Sequence, residues 1–403
     1  MSELQDMIAR LCPDGVEYKK LGEVGTFVRG NGLQKKDFVE EGVGCIHYGQ
    51  IYTYYGVFAY TTKSKVSSEL ADKLLKIEKG NLVIACTSEN IEDVCKAVAW
   101  LGEEQIVTGG HSAVFRHSLN PKYVSYFFQS DFFFQQKKKY ARGAKVIDIK
   151  VDDLAKIEIP VPPLEAQRKI VEVLDNFSEL TAELTAELTA RQKQYEYYRD
   201  NLLNFNHFTP PYEAKYITIG DIGEVKMCKR VMKNQTNTTD GVPFYKIGTF
   251  GKTPDAFISR TLYEQYKQQY PFPKVGDILI SAAGTIGRAV VYDGSDAYYQ
   301  DSNIVWVDND ERSVLNTYLR YLYQIIDWKV EGGTIKRLYN DNLKNTVIAV
   351  PSIERQSQIV AILDKFSALT TDLTSGLPAE IKARQQQYEY YRDSLLSFPR
   401  KAC

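Results

Sequence analysis

Residues 161–205 return as residues 350–398, and this repetition governs what the chain can fold into. The first copy reads VPPLEAQRKIVEVLDNFSELTAELTAELTARQKQYEYYRDNLLNF, and the second reads VPSIERQSQIVAILDKFSALTTDLTSGLPAEIKARQQQYEYYRDSLLSF. Gln167 recurs 189 positions on as Gln356, and Tyr195 recurs 193 positions on as Tyr388, so the second copy carries four extra residues. That period is far beyond the ~20–50 residues of a solenoid repeat. It describes a duplicated molecule in which a globular unit and then a long helix occur twice.

Within each copy, apolar positions recur in alternating steps of four and three. Ile170, Leu174, Phe177, Thr181, Leu184 and Leu188 open the first seam, and Arg191, Tyr195, Tyr198, Leu202 and Phe205 complete it. In the second, Ile359, Leu363, Phe366, Thr370, Leu373 and Leu377 keep the steps. Ile381 follows after another four, before Arg384, Tyr388, Tyr391, Leu395 and Phe398 resume. This is a coiled-coil rhythm. The added four residues make a stutter, and Gly376 with Pro378 predict a kink or short break there. Two matching seams in one chain predict that the helices pair with each other, antiparallel because of the order domain, helix, domain, helix. Each helix would span roughly 60 Å at ~1.5 Å per residue. The alternative is that they pair with another protein.

The resulting fold class is α+β: two mixed α/β domains separated by two long antiparallel helices forming an intramolecular coiled coil, with a pseudo-twofold internal repeat. The expected boundaries are residues 1–160 and 209–349 for the domains, and 161–208 and 350–403 for the helical spacers. The globular parts run in parallel. KGNLVIACTS (79–88) matches VGDILISAAG (275–284), AVAWL (97–101) matches RAVVY (288–292), and SAVFRH (112–117) matches SNIVWV (302–307). Short apolar runs between Gly, Asn and Asp are strand signals. Aromatic-rich helices follow in both, YVSYFFQSDFFFQQ (123–136) and NTYLRYLYQIIDW (316–328). Each unit then ends on a glycine-basic turn, a short strand and a Val-Pro corner, where proline's fixed φ suits helix entry. Residues 2–11 carry a short amphipathic pattern stopped by Pro13 and Gly15.

Composition narrows the function. A net charge of −1 excludes a polycationic nucleic-acid coat and leaves phosphate affinity to local patches. Residues 161–205 hold eight acids against five bases, so the domains are less acidic than the helices. The 28 tyrosines, against 18 Phe and 3 Trp, suit wet recognition surfaces, although half-buried strand positions account for most of them. Six cysteines and four histidines fall at spacings that give neither a disulfide framework nor a metal-ligand pair. The N-terminal stretch lacks the apolar core of a signal peptide, and no window approaches a membrane span. A cytoplasmic protein without a membrane partner is expected.

Catalytic motifs are missing. Thr209-Pro210-Pro211-Tyr212 looks like the Pro-Pro-aromatic loop of amino-methyltransferases, but the Thr in front and the helix end before it read as a linker. Gly248, Gly251 and Lys252, like Gly284, Gly287 and Arg288, lack the spacing of a Walker phosphate cradle. The positive signal is basic and aromatic residues interleaved with glycine loops. In the first domain these are Lys35 and Lys36, the run HYGQIYTYYG with Tyr48, Tyr52 and Tyr54, then Lys63 and Lys65, and QQKKKYARGAK with Lys138, Arg142 and Lys145. In the second they are Lys229 and Arg230, Lys246 and Lys252, Arg288, and Lys336 with Arg337. Lys and Arg neutralise phosphates, while Arg and Tyr can reach base edges. For each residue alone, a solvated surface charge is the competing explanation.

The repeated Pro-x-x-Glu-x-Gln followed by Ile-Val-x-x-Leu-Asp, at 162–175 and 351–364, and Arg-Gln-x-Gln-Tyr-Glu-Tyr-Tyr-Arg-Asp, at 191–200 and 384–393, resemble the specificity subunit of type I restriction-modification systems. The resemblance covers the whole chain. It implies a non-catalytic DNA-specificity subunit whose two target-recognition domains each bind one half of a bipartite, asymmetric site on double-stranded DNA. It further implies two modification (methyltransferase) subunits docked on this chain and restriction (motor-nuclease) subunits completing the enzyme. S-adenosylmethionine, ATP and Mg would be carried by those partners, with no cofactor in this chain. The helices would set the spacer and dock the partners, through one set of partner-docking and spacer positions. These are Gln167, Ile170, Leu174, Phe177, Tyr195 and Tyr198 in the first copy, and Gln356, Ile359, Leu363, Phe366, Tyr388 and Tyr391 in the second. The rival expectations are a protein-interaction scaffold that does not bind DNA and a methyltransferase acting alone.

Overall fold

The structure, a computed structural model, describes residues 6, 9–205, 214–333, 336–372 and 374–401. The expected helix at 2–11, the 209–212 linker and the seam position Leu373 lie wholly or largely outside the described residues. The chain divides into two compact units, unit 1 from residues 1–185 with 380–403, and unit 2 from residues 186–379.

In unit 1 the strand runs LVIA and AVAW are buried on both faces, and alternation along a strand explains how. Leu82 and Ile84 face a core filled by Tyr123, Tyr126, Phe127 and Phe133 from the aromatic helices, whereas Val83 and Ala85 face one with Ile46, Ile77 and Trp100. The central sheet orders its strands as Gly25–Arg29, Ser112–His117, Leu82–Ala85, Ala97–Trp100 and Phe58–Ala59. A second sheet, Ser64–Val66, Val43–Ile46, Ile106–Thr108 and Leu75–Ile77, contains one parallel pair, Val43–Ile46 with Ile106–Thr108.

Unit 2 repeats the plan. Its central sheet is Gly223–Met227, Ile304–Asn309, Ile278–Ser281 and Ala289–Val291, and Val242–Tyr245 pairs in parallel with Tyr298–Tyr299 in the second sheet. Gly80 and Gly276 occupy the same turn with the same φ of 92°. Register corrects one alignment made from sequence. His117 lies opposite Gly25 and Asn309 opposite Gly223, so Ser112 corresponds to Ile304, two residues beyond its match by pattern.

Many tyrosines are buried in helices, where a half-buried strand position was expected. Tyr123 donates its hydroxyl to the Pro160 carbonyl at 3.0 Å, and its counterpart Tyr318 donates to Ala349 at 3.0 Å. Tyr126 bonds Asp175 at 2.8 Å, and Tyr321 bonds Asp364 in the same way. Each aromatic helix is thereby fastened to the strand and helix that follow it.

The first long helix, α1, runs unbroken over Leu164–Leu203. The second copy forms two helices, α2 (Ile353–Thr371) and α3 (Leu377–Leu395). The four extra residues are taken up by the link 372–376, so the break replaces a stutter. Asp372 organises this link by accepting from Thr374 N–H at 2.7 Å and from the Ser375 hydroxyl. A Cβ on Gly376 would sit 2.6 Å from the Ala368 carbonyl, so only glycine fits against the end of α2. In unit 1 the start of α1 packs antiparallel on the end of α3, with Phe177 stacked on Tyr391 at 5.2 Å. In unit 2 the end of α1 packs on α2, with Tyr198 stacked on Phe366 at 5.4 Å.

Buried thiols give the fold an alkaline weakness. Burial pushes Cys45, Cys86 and Cys228 up to about 12, and Cys95 is raised well above its ordinary value. An unfolded thiol ionises near ~8.5, so this stability is present below that pH and lost above it, at about 1.4 kcal/mol per pH unit for each thiol. Burial also lowers Lys137 to about 8, and this works in the opposite sense once. With Cys12, Cys45, Cys86 and Cys95 all raised in unit 1 and Cys228 in unit 2, unit 1 is therefore expected to lose stability more steeply than unit 2 as the pH rises past roughly 8.5. Hydrogen-exchange mass spectrometry resolves the two units, and pH-independent protection would contradict this assignment.

Candidate nucleic-acid interface

At one end of the unit 1 central sheet three loops are tied together by main-chain bonds. Gly30 N–H donates to Ser112 O at 2.9 Å, and Gly110 N–H donates to Gly32 O at 2.7 Å, locking loop 30–36 onto loop 109–111. Cys86, at the end of its strand, donates to His111 O and accepts from Ile149 N–H, bringing in hairpin 142–148. Arg29 closes the set with an ion pair to Asp148 at 2.7 Å. The glycines permit this approach, since a Cβ on Gly109 would fall 2.2 Å from the Leu33 Cβ.

Unit 2 builds the strand-end and hairpin part of this frame with different side chains. Ala282 donates to Asn303 O at 2.7 Å and accepts from Leu338 N–H at 2.9 Å. The hairpins are closed identically, by paired main-chain bonds between Arg142 and Asp148 and between Glu331 and Arg337. Their glycines, Gly143 and Gly332, have φ of 112° and 116°.

The candidate residues divide on this frame. Lys35 and Lys36 are exposed on a 3-10 turn, Lys35–Asp37. The ring of Tyr48 lies 4.5 Å from His47 and 5.0 Å from His111. Burial, then the charges of Lys35 and His111, hold His47 below its ordinary pKa, so these side chains share one neighbourhood. Lys63 lies over exposed Tyr54 at 4.5 Å, and Lys65, Lys138 and Lys145 are exposed. Arg142 is exposed and lies 3.6 Å from Asp153.

Tyr52 departs from its expected place among the DNA-binding residues. Its hydroxyl donates to Thr87 O at 2.7 Å, and burial raises its pKa. The run HYGQIYTYYG forms a helix, Tyr48–Thr53, that turns Tyr52 toward the core.

In unit 2, Lys252 and Lys336 are exposed. Lys229 lies over Tyr270 at 4.9 Å, Arg230 pairs with Asp301 at 2.8 Å, and Lys246 pairs with Asp255 at 2.8 Å. Two arginines serve the fold. Arg288 donates to Phe250 O at 2.8 Å, and Arg337 holds the Ser302 carbonyl and hydroxyl at 2.8 and 2.9 Å. Three frame residues escaped the sequence reading. Lys233 starts the 3-10 turn equivalent to that of Lys35. His111 and Ser302 carry φ of 65° and 51°, conformations that non-glycine residues hold at a cost and that concentrate at functional sites.

Among the partner-docking and spacer positions, several are placed for the spacer and not for docking. Gln167, Ile170, Leu174, Gln356, Ile359 and Leu363 are all buried at 1% exposure or less, which leaves no surface for a partner. They bind the helices to their own units. Phe177, Tyr198, Phe366 and Tyr391 form the helix-to-helix stacks, and Tyr195 and Tyr388 donate to Gln324 and Gln129, each at 3.0 Å. Among the described residues no three His, Cys, Asp or Glu side chains are grouped to hold a metal ion.

The model of the type I restriction modification DNA specificity domain matches residues 13–191 and 211–383. A type I restriction enzyme specificity subunit of Haemophilus influenzae is 56% identical over 254 residues, covering 61% of this chain and 65% of that protein. The EcoR124I/EcoR124II specificity subunit of Escherichia coli is 35% identical over 267 residues, covering 61% and 64%. The matched region thus spans less than two thirds of the length of either relative. A solved chain from work on assembly of a type I restriction-modification system shares the fold with a TM-score of 0.66 at 19% identity, covering 96% of this chain and 98% of that one. The S subunit from M. genitalium does so with a TM-score of 0.52 at 15% identity, covering 95% and 96%.

Proposed function

Because this chain belongs to the type I restriction-modification DNA specificity family, we propose that it is the non-catalytic subunit that selects the DNA sequence for such an enzyme. Unit 1 reads one half of a bipartite site and unit 2 reads the other, with exposed lysines on phosphates and loop side chains on base edges in the major groove. The helical segments set the spacer and carry two modification subunits, and motor-nuclease subunits join them. S-adenosylmethionine, ATP and Mg belong to those partners. No described helix is long and apolar enough to cross a membrane, and a cytoplasmic location follows from the proposed DNA substrate.

One observation carries this reading. The strand end at Cys86 or Ala282 is bonded in the same way in both units to the neighbouring loop and to the residue after a glycine hairpin, while the side chains mounted on this frame differ, as two unlike half-sites require. The test is to purify the chain with its modification subunit, map methylated positions on genomic DNA by single-molecule sequencing, and measure binding to the mapped duplex. Methylation at one bipartite sequence is expected, with affinity falling steeply with salt as phosphate contacts are screened. Salt-insensitive failure to bind any duplex would replace this reading with a protein-interaction scaffold.

A further inference from the structure

The hairpin 142–148 presents an apolar side chain where a solvated turn would ordinarily be polar. Val146 is 57% exposed at its tip next to exposed Lys145, while Arg142 at the base of the hairpin lies 3.6 Å from Asp153. The geometry is fixed. Gly143 has φ 112°, and a Cβ there would meet the Val146 carbonyl at 2.0 Å, so the tip closes over glycine. Arg142 and Asp148 exchange two main-chain bonds of 3.1 and 2.8 Å, and Asp148 is held by Arg29 at 2.7 Å. Ile147, the next residue, turns inward onto the unit 1 core, which forces Val146 outward. By sequence the second unit has Ile335 at the corresponding position, outside the described residues.

A rigid tip holding one β-branched residue outward beside an exposed lysine has a natural complement on DNA. The lysine suits a phosphate, and the apolar group suits the one apolar feature of a base edge, the thymine 5-methyl in the major groove. Resting on the DNA-specificity reading above, we infer that Val146 contacts a thymine methyl and makes one T·A pair a requirement of the half-site read by unit 1. A polar side chain there would leave the methyl unrecognised, and a larger one would hold Lys145 off the backbone.

Duplexes carrying the mapped site, each with a single thymine replaced by deoxyuridine, test this against the chain in complex with its modification subunit. Replacing one thymine removes one methyl and is expected to weaken wild-type binding about fourfold at one position. Val146→Ala is expected to bind the thymine and deoxyuridine duplexes equally at that position, while the dependence on the other half-site stays as in the wild type. An unchanged thermal transition verifies that the variant is folded. If no thymine shows a methyl dependence that Val146→Ala abolishes, the inference is overturned while selective binding still upholds the wider reading. Wild-type complex without any sequence preference overturns both.

Discussion

A chain with one further Leu-Thr-Ala-Glu unit, inserted after Glu183, is expected to direct its modification subunit to the same two half-sites across a spacer one or two base pairs longer. Four residues add about 6 Å of helix, against ~3.4 Å of DNA per base pair. The insertion point lies beside Thr185–Ala186, where the chain passes from unit 1 to unit 2 inside the unbroken α1. The grips on either side stay intact, because Phe177 on Tyr391 and Tyr198 on Phe366 each belong to a single unit. The link 372–376 already accommodates a four-residue excess in the second copy. On the original site only one half can then be engaged. Several base pairs at ~1–3 kcal/mol each are lost, which predicts at least about a hundredfold weaker methylation there. Methylome sequencing reads both outcomes, and an unaltered spacer would sink the assignment of α1 as the ruler.

The repeat and the buried strands were legible because their signals are local: heptad steps, apolar runs and glycine punctuation. Register was less so. Aligning Ser112 with Ser302 instead of Ile304 shifts a strand by two, and a shift of two keeps every side chain on its own face. The apolar pattern is blind to that error, and only the pairings of His117 with Gly25 and of Asn309 with Gly223 expose it. At the candidate interface the basic residues were visible by type. Their partners were not, since Asp148 and Asp301 stand far along the chain from Arg29 and Arg230. Nothing in the letters marks His111 or Ser302, because a positive φ on a non-glycine residue leaves no composition signal. The Tyr52 assignment failed for a similar reason, since a single helical turn decides which tyrosines of HYGQIYTYYG face water.

Gln356→Met is expected to destabilise unit 2 by at least about 3 kcal/mol, and Gln167→Met to destabilise unit 1 by about 2 kcal/mol. Met keeps the volume and removes the amide, so the loss reports hydrogen bonding apart from cavity formation. Gln356 accepts from Leu315 N–H at 2.8 Å and donates to Ser313 O and Pro351 O at 2.8 and 2.9 Å, so three main-chain groups lose their partner. Gln167 accepts from Asn120 N–H at 2.9 Å and donates to Pro162 O at 2.8 Å, so two do. Each orphaned buried group costs about 1–3 kcal/mol, against a total of ~5–15 kcal/mol for a typical domain. Urea denaturation followed by hydrogen exchange in each unit should therefore show the larger loss for Gln356→Met and confine it to unit 2. A docking residue would behave otherwise, weakening association with the modification subunit at an unchanged urea midpoint. Because both amides are spent on the strand-to-helix corner and on the aromatic helix beside it, they fix the angle at which each helix leaves its domain. A Met variant that keeps its midpoint within about 0.5 kcal/mol of wild type would refute that role.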